Sequence, residues 1–220
     1  MPSTVPVSGP RPRAALVFSD ILANHVNLLR LPRRLPAAVT SSLAEVAGGE
    51  GFVVSSWVDT ETPDVSELVD PVQAPVARGF LTSDLTAIAR AFGATFARRR
   101  ILARLAVVEN DACRKLHADN VTVRLLCTYA GPGTEWVPDE DALRENLCRL
   151  DVGFEDANRS VLRHPDALRR AGVGDVLLLK GEAFPGNRGR GAIHRSPPIR
   201  DRGLRRLVLK IDEHEIGRPG

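Results

Sequence analysis

Thiols, lysines and aromatic rings are scarce in this sequence, and each scarcity closes a route. Three cysteines in 220 residues, Cys113, Cys127 and Cys148, include no C-x-x-C pair, so neither a disulfide framework nor a cysteine-rich zinc finger is encoded. Reduced thiols are expected. Aromatic residues make up 5% of the chain, with a single tyrosine, Tyr129, and the only lysines are Lys115, Lys180 and Lys210. No apolar stretch approaches the roughly 18 uninterrupted residues of a membrane-crossing helix, and no charged-then-apolar leader opens the chain. A cytoplasmic protein without membrane contact is expected. The 30 Lys+Arg against 27 Asp+Glu leave a charge of only +3, and the basic residues are interleaved with acids. A nucleic-acid footprint needs a concentrated basic stripe, so no nucleic-acid partner is expected. Gly131-Pro132-Gly133 is not followed by Lys-Ser/Thr, and no serine sits in a G-x-S-x-G context, which excludes a phosphate loop and an elbow-type hydrolase.

What is present divides the chain in two. A tail at residues 1–13 holds four prolines and cannot offset its ordering entropy. Residues 14–220 read as one domain. Its first part, 14–100, is mainly helical by spacing: a helix over 18–34, another over 36–47 that stops at Gly48-Gly49, a strand over 51–58, an acidic loop over 59–75, and a helix from Thr82 ending in Arg98-Arg99-Arg100. From residue 101 the texture turns to short alternating segments, with strands at 101–109, 121–129, 175–180 and 204–212 and a helical stretch at 139–150. This order predicts an α+β protein with N-terminal helices packed on a C-terminal double-sheet β structure.

The chemistry centres on His117-Ala-Asp119. A strand starting at or just before His117 places His117, Asp119, Val121, Val123, Leu125, Cys127 and Tyr129 on one face, so the imidazole and carboxylate project together. His194, in Ala-Ile-His194-Arg-Ser-Pro-Pro198, supplies a third ligand. Two histidines and one carboxylate form the facial triad that leaves open positions on non-haem Fe(II). On the last strand, Arg205 shares its face with Leu207, Leu209 and Ile211 and points inward, where a guanidinium calls for an anionic ligand such as a carboxylate. Arg206 or Lys210 takes that role if the strand carries a bulge. Tyr129, on the metal face by parity, either hydrogen-bonds a co-substrate or serves the core. Cys113 and Cys127 share the parity and read as apolar core residues; as thiolates they would favour zinc. Specificity is expected in the loops 59–75 and 182–191.

These residues resemble the double-stranded β-helix of the Fe(II)/2-oxoglutarate-dependent oxygenases, in which H-x-D is followed by a distal His and then by an Arg or Lys for the 2-oxoglutarate carboxylate. The prolyl-hydroxylase-like branch is similar in texture: Gly131-Pro-Gly-Thr134 follows the metal strand, Gly174-Asp175 opens a later one, and His194, Pro198 and Arg205 close the set. The likeness covers residues 101–212 and implies a jelly-roll, cupin-like fold. It further implies Fe(II) on His117, Asp119 and His194, 2-oxoglutarate on Arg205 with help from Tyr129, and hydroxylation of a small-molecule or protein substrate. The step from His194 to Arg205 is slightly long for that family. At closer range, CRKLHADNVTVRLLCTYAGPGTEW and AIHRSPP…RRLVLKID resemble a bacterial family classed as a domain of unknown function. That resemblance implies a link to zinc homeostasis, with zinc as the alternative metal. A non-catalytic metal-binding protein and a cupin-like small-molecule binder are the rival readings.

Overall fold

The computed structural model describes residues 16–111, 113–149 and 151–212, so the tail at 1–13 lies outside the described residues. The chain mixes helices with two antiparallel sheets. A 3₁₀ turn at Ser19–Leu22 leads into β1 (Leu28–Leu31), followed by α1 (Ala37–Gly48), β2 (Val53–Asp59), the single turn α2 (Ser66–Val69) and α3 (Pro75–Phe96). Then come β3 (Arg100–Val108), β4 (Val123–Ala130), β5 (Glu135–Val137), α4 (Phe154–Val161), β6 (Arg169–Arg170), β7 (Val176–Lys180), β8 (Ile193–Arg195) and β9 (Arg206–Asp212). The large sheet has the order β1-β7-β4-β9-β3-β2 and the small one β6-β5-β8. No helix among the described residues is long and apolar enough to cross a membrane.

The period of two along the strands decides what each face meets. Val123, Leu125, Cys127 and Tyr129 of β4 and Leu207, Leu209 and Ile211 of β9 are buried in one cluster with Leu43 of α1 and Leu81, Leu85, Ile88 and Phe92 of α3. Each such side chain contributes about 1.5–3 kcal/mol when fully buried. The alternate residues face the small sheet: Leu126 packs with Trp136 of β5 and with Leu177 and Leu179 of β7. The helices brace each other as well as the sheet. The Ala77 N–H in the first turn of α3 donates to Ser42 Oγ of α1 at 3.2 Å, satisfying a donor that a helix start leaves without an intrahelical partner.

Several expected elements change in the structure. The helix expected over 18–34 is a 3₁₀ turn followed by β1, which pairs antiparallel with β7 from Leu28↔Leu179 to Leu31↔Val176; the open edge of β7 outweighs a helical spacing. Both outermost strands of the large sheet thus come from the part read as mainly helical. The stretch 139–150 holds two 3₁₀ turns, Asp139–Asp141 and Arg144–Asn146, because Ala142 bridges to Leu162 and interrupts helical pairing. The helix α3 begins at Pro75 rather than Thr82 and ends before the arginine run. Ala97 turns left-handed at φ 52° and the Arg98 N–H returns to the Gly93 carbonyl at 3.1 Å, so Arg100 opens β3 instead of closing the helix.

Candidate metal centre

Two chain segments far apart in sequence meet at a single antiparallel bridge, His117↔His194. The His117 N–H donates to the His194 carbonyl at 3.1 Å, and the return bond is 3.0 Å. The imidazoles face each other with ring centroids 4.6 Å apart. Each ring is set from behind: His117 Nδ1 lies 2.8 Å from the Lys115 carbonyl, and His194 Nδ1 lies 3.1 Å from the Ala192 carbonyl. A ring that donates its Nδ1–H to a carbonyl leaves Nε2 as the position for a cation, and such backing is the usual outer shell of a metal-ligating histidine.

Asp119 completes the group. Its Oδ1 is 3.5 Å from His117 Nε2, and its Oδ2 is 3.2 Å from His194 Nε2. The ligand atoms of the three residues all lie within 4.8 Å of one another. The backbone of residues 118–122 breaks from strand geometry to bring the carboxylate there. The Glu182 N–H donates to the Asp119 carbonyl at 2.8 Å and the Gly181 N–H to the Thr122 carbonyl at 2.9 Å. Gly181 is needed for this closeness, since a Cβ there would sit 2.1 Å from the Val121 oxygen and 2.6 Å from the Asp119 oxygen.

Charge is concentrated around the group. Arg124 of β4 donates to Asp119 Oδ2 at 2.6 Å and to Asp212 Oδ1 of β9 at 2.6 Å, while Lys210 Nζ sits 2.8 Å from Asp212 Oδ2. Burial pushes the Asp119 carboxyl up. Hydrogen bonds from His117 and His194, together with the charges of His194 and Arg124, more than reverse this and hold it well below the usual carboxylate range. The hydrogen bond to Asp119 raises His117. The donor set of two imidazole nitrogens and one carboxylate oxygen, with no thiolate in the group, suits Fe(II) with open positions.

A cavity of about 230 Å³ opens beside the three residues, with His117, His194, Arg124, Leu126, Val208 and Arg206 in its lining. Arg206 is 3% exposed. Its guanidinium donates to the Thr128 hydroxyl at 3.0 Å and the Thr134 hydroxyl at 3.1 Å, and its Nε is buried with no hydrogen-bond partner. Burial pushes this guanidinium down to about 10. The charge of Glu135 partly offsets this, but a buried cation whose hydrogen bonds go only to neutral hydroxyls is the kind of group that an incoming carboxylate satisfies.

His117, Asp119 and His194 are therefore brought together, whereas the other two expected residues stand elsewhere. Arg205 points out of the cavity, with Nε 3.5 Å from Glu109 Oε2 and a second contact to the Gly49 carbonyl. Tyr129 is fully buried on the helix side, donating to Asp84 Oδ2 at 2.7 Å. Both departures have one cause: the apolar phase of β4 and β9 packs on the helices, and the polar phase faces the cavity. Cys127 lies in the helix-side core near Arg33, as expected of an apolar residue, but Cys113 is exposed and lines the cavity. Neither the 59–75 nor the 182–191 loop contributes a lining residue. The sequence reading missed Arg124 altogether; its signal was its phase opposite Val123 and Leu125.

A family model described as a protein of unknown function, DUF1826, matches residues 13–212. The chain belongs to the DUF1826 family. No curated protein matches the sequence. Among solved structures, this DUF1826 chain is similar to a Pseudomonas putida prolyl-4-hydroxylase at 14% identity and a TM-score of 0.43, covering 90% of this chain and 97% of that one. It is also similar to the Arabidopsis thaliana dioxygenase for auxin oxidation 1, in its 2-oxoglutarate complex, at 11% identity and a TM-score of 0.44, with 84% and 82% covered. AviO1 from Streptomyces viridochromogenes shows 14% identity and a TM-score of 0.41, with 88% and 92% covered.

Proposed function

We propose that this DUF1826 protein is an Fe(II)/2-oxoglutarate-dependent oxygenase, its two facing sheets forming a double-stranded β-helix, a cupin-like jelly roll. The observation that carries this reading is the convergence of His117, Asp119 and His194 within 4.8 Å beside a cavity that also presents the buried guanidinium of Arg206. His117 and His194 would ligate through Nε2, and Asp119 would ligate through its carboxylate. Arg206, rather than Arg205, would hold the distal carboxylate of 2-oxoglutarate. When bound, the metal and co-substrate supply oxidative decarboxylation coupled to O₂ activation.

The chain's own share is binding, orientation and shielding. The Lys115 and Ala192 carbonyls keep the two Nε2 atoms aimed at one point. Arg124 fixes one carboxylate oxygen of Asp119, which leaves the other for a ligand position. Thr128 and Thr134 hold the Arg206 side chain in place, and the apolar wall of Leu126 and Val208 limits water beside it.

Anaerobic titration of the protein with Fe(II) and then 2-oxoglutarate tests this reading. The expected result is a weak visible charge-transfer band that disappears in His117→Ala, Asp119→Ala and Arg206→Gln. Retention of zinc with no such band, or metal retention unchanged in both His117→Ala and Asp119→Ala, would overturn it.

A further inference from the structure

The cavity beside the three candidate ligands is strongly basic. Arg104, Arg124, Arg195, Arg206 and Lys210 line it, and no Asp or Glu appears among its described lining residues. Carboxylates behind the wall neutralise part of this charge: Asp119 and Asp212 pair with Arg124, Asp212 also with Lys210, and Glu135 with Arg195 at 2.7 Å. Among the described residues Arg206 makes no ion pair, although the charge of Glu135 reaches it, and Arg104 is left without a carboxylate. In the proposed function Arg206 holds the co-substrate. Arg104 is exposed and makes no ion pair or hydrogen bond among the described residues.

The strand register sets two of these cations against each other. Arg104 of β3 stands directly opposite Lys210 of β9. Side chains so placed share a face with Cβ atoms about 4.5–5.5 Å apart, and like charges in that position destabilise the pair. Ala106 and Val108 continue the Arg104 face, and Val208 and Arg206 continue the Lys210 face, all of them lining the cavity. Lys210 uses one contact on Asp212, and an ammonium has three donors. The fold thus keeps an unfavourable cation pair aimed into the cavity.

Loading the site does not relieve it. A divalent metal brings two positive charges and 2-oxoglutarate two negative ones, so the excess remains. Nor does one co-substrate molecule reach both ends. Arg206 and Lys210 are four residues apart on one strand, about 13 Å at roughly 3.3 Å per residue, which a five-carbon diacid does not span. We infer that the primary substrate of this protein is an anion whose phosphate or carboxylate group seats between Arg104 and Lys210. This rests on the oxygenase reading for the word substrate, and on the cavity alone for the anion site.

The test uses the whole protein loaded with Co(II) and saturated with 2-oxoglutarate at fixed ionic strength. Inorganic phosphate is titrated in one arm and acetate in the other, and Co(II)-induced relaxation of the phosphorus or carbon NMR signal is followed. The expected result is saturable enhancement for at least one probe, weakened about tenfold or more in Arg104→Gln and retained in Arg206→Gln, which instead loses 2-oxoglutarate affinity. Binding by Arg104→Gln equal to the parent protein, or no binding of either probe by the parent, would overturn the inference. If Co(II) or 2-oxoglutarate does not bind, the oxygenase reading fails by itself. The anion site is then judged by thermal stabilisation of the metal-free protein by phosphate or acetate, where equal shifts in parent and Arg104→Gln overturn it.

Discussion

Replacing Arg206 by Met separates a ligand-binding guanidinium from a structural one, because the two roles predict opposite balances. In the ligand-free protein the guanidinium is 3% exposed, donates to two threonine hydroxyls and leaves Nε without a partner. Its unsatisfied donor costs about 1–3 kcal/mol, comparable to what the two hydroxyl contacts return. Exchange of such a buried charge for an apolar side chain is often neutral or stabilising. The expected change in unfolding free energy for Arg206→Met, measured by urea denaturation without ligands, is therefore within about 1 kcal/mol of zero. Binding of 2-oxoglutarate to the Co(II) form, measured by calorimetry, should weaken by roughly 30-fold or more, about 2 kcal/mol for a lost charge-paired contact. A loss of stability above about 3 kcal/mol with 2-oxoglutarate affinity unchanged would refute the reasoning and make Arg206 a structural residue.

Three further outcomes are expected. Gly181→Ala places a methyl 2.1 Å from the Val121 oxygen and 2.6 Å from the Asp119 oxygen; it should cost about 1–3 kcal/mol and also weaken Co(II) binding, since the segment that must yield carries Asp119. Asp84→Ala strands Arg33, which donates to both its oxygens at 2.8 and 3.1 Å, and the Tyr129 hydroxyl; urea denaturation should show a loss of about 3–5 kcal/mol. Burial pushes the Asp175 carboxyl up, but Arg30 and the Arg33 and Gly172 N–H groups hold it below the ordinary 3.8. Its contribution is thus complete above that value and lost as pH falls through the lower folded one. Asp175→Asn should flatten the acid limb of a stability-versus-pH curve; an unaltered limb would remove this carboxylate from the account.

The legible parts of the sequence were those where local pattern and long-range pairing agree. The strands at β2, β3, β4, β7 and β9 and the helix α1 lie close to where alternation and helical spacing put them. His117, Asp119 and His194 were legible as residue types in an order, but not through the parity argument used to join them. The strand begins at Val123, and residues 120–122 bend before it. The choice of face failed for a physical reason. In an isolated sandwich the apolar phase points to the space between the sheets; here α1 and α3 cover the outer face and claim that phase, which turned Tyr129 and Arg205 away from the cavity. The short strands β5, β6 and β8, two or three residues each, exist through their pairing partners and carry almost no local signal.

The single bridge between His117 and His194 has a thermodynamic consequence. Three backbone bonds, the His117–His194 pair and the Ser196 N–H to the Cys113 carbonyl, together with Leu116 buried against Val137 and Ile193, form the seam that joins the segment before β4 to the small sheet, and an ion shared by both rings and Asp119 would add a removable cross-link over the chain between them. Opening of that seam would then be governed by free metal: at a concentration about 100 times the dissociation constant, the closed form gains about 2.7 kcal/mol. The exposure of this region to solvent and proteases would report the metal supply, independently of any turnover.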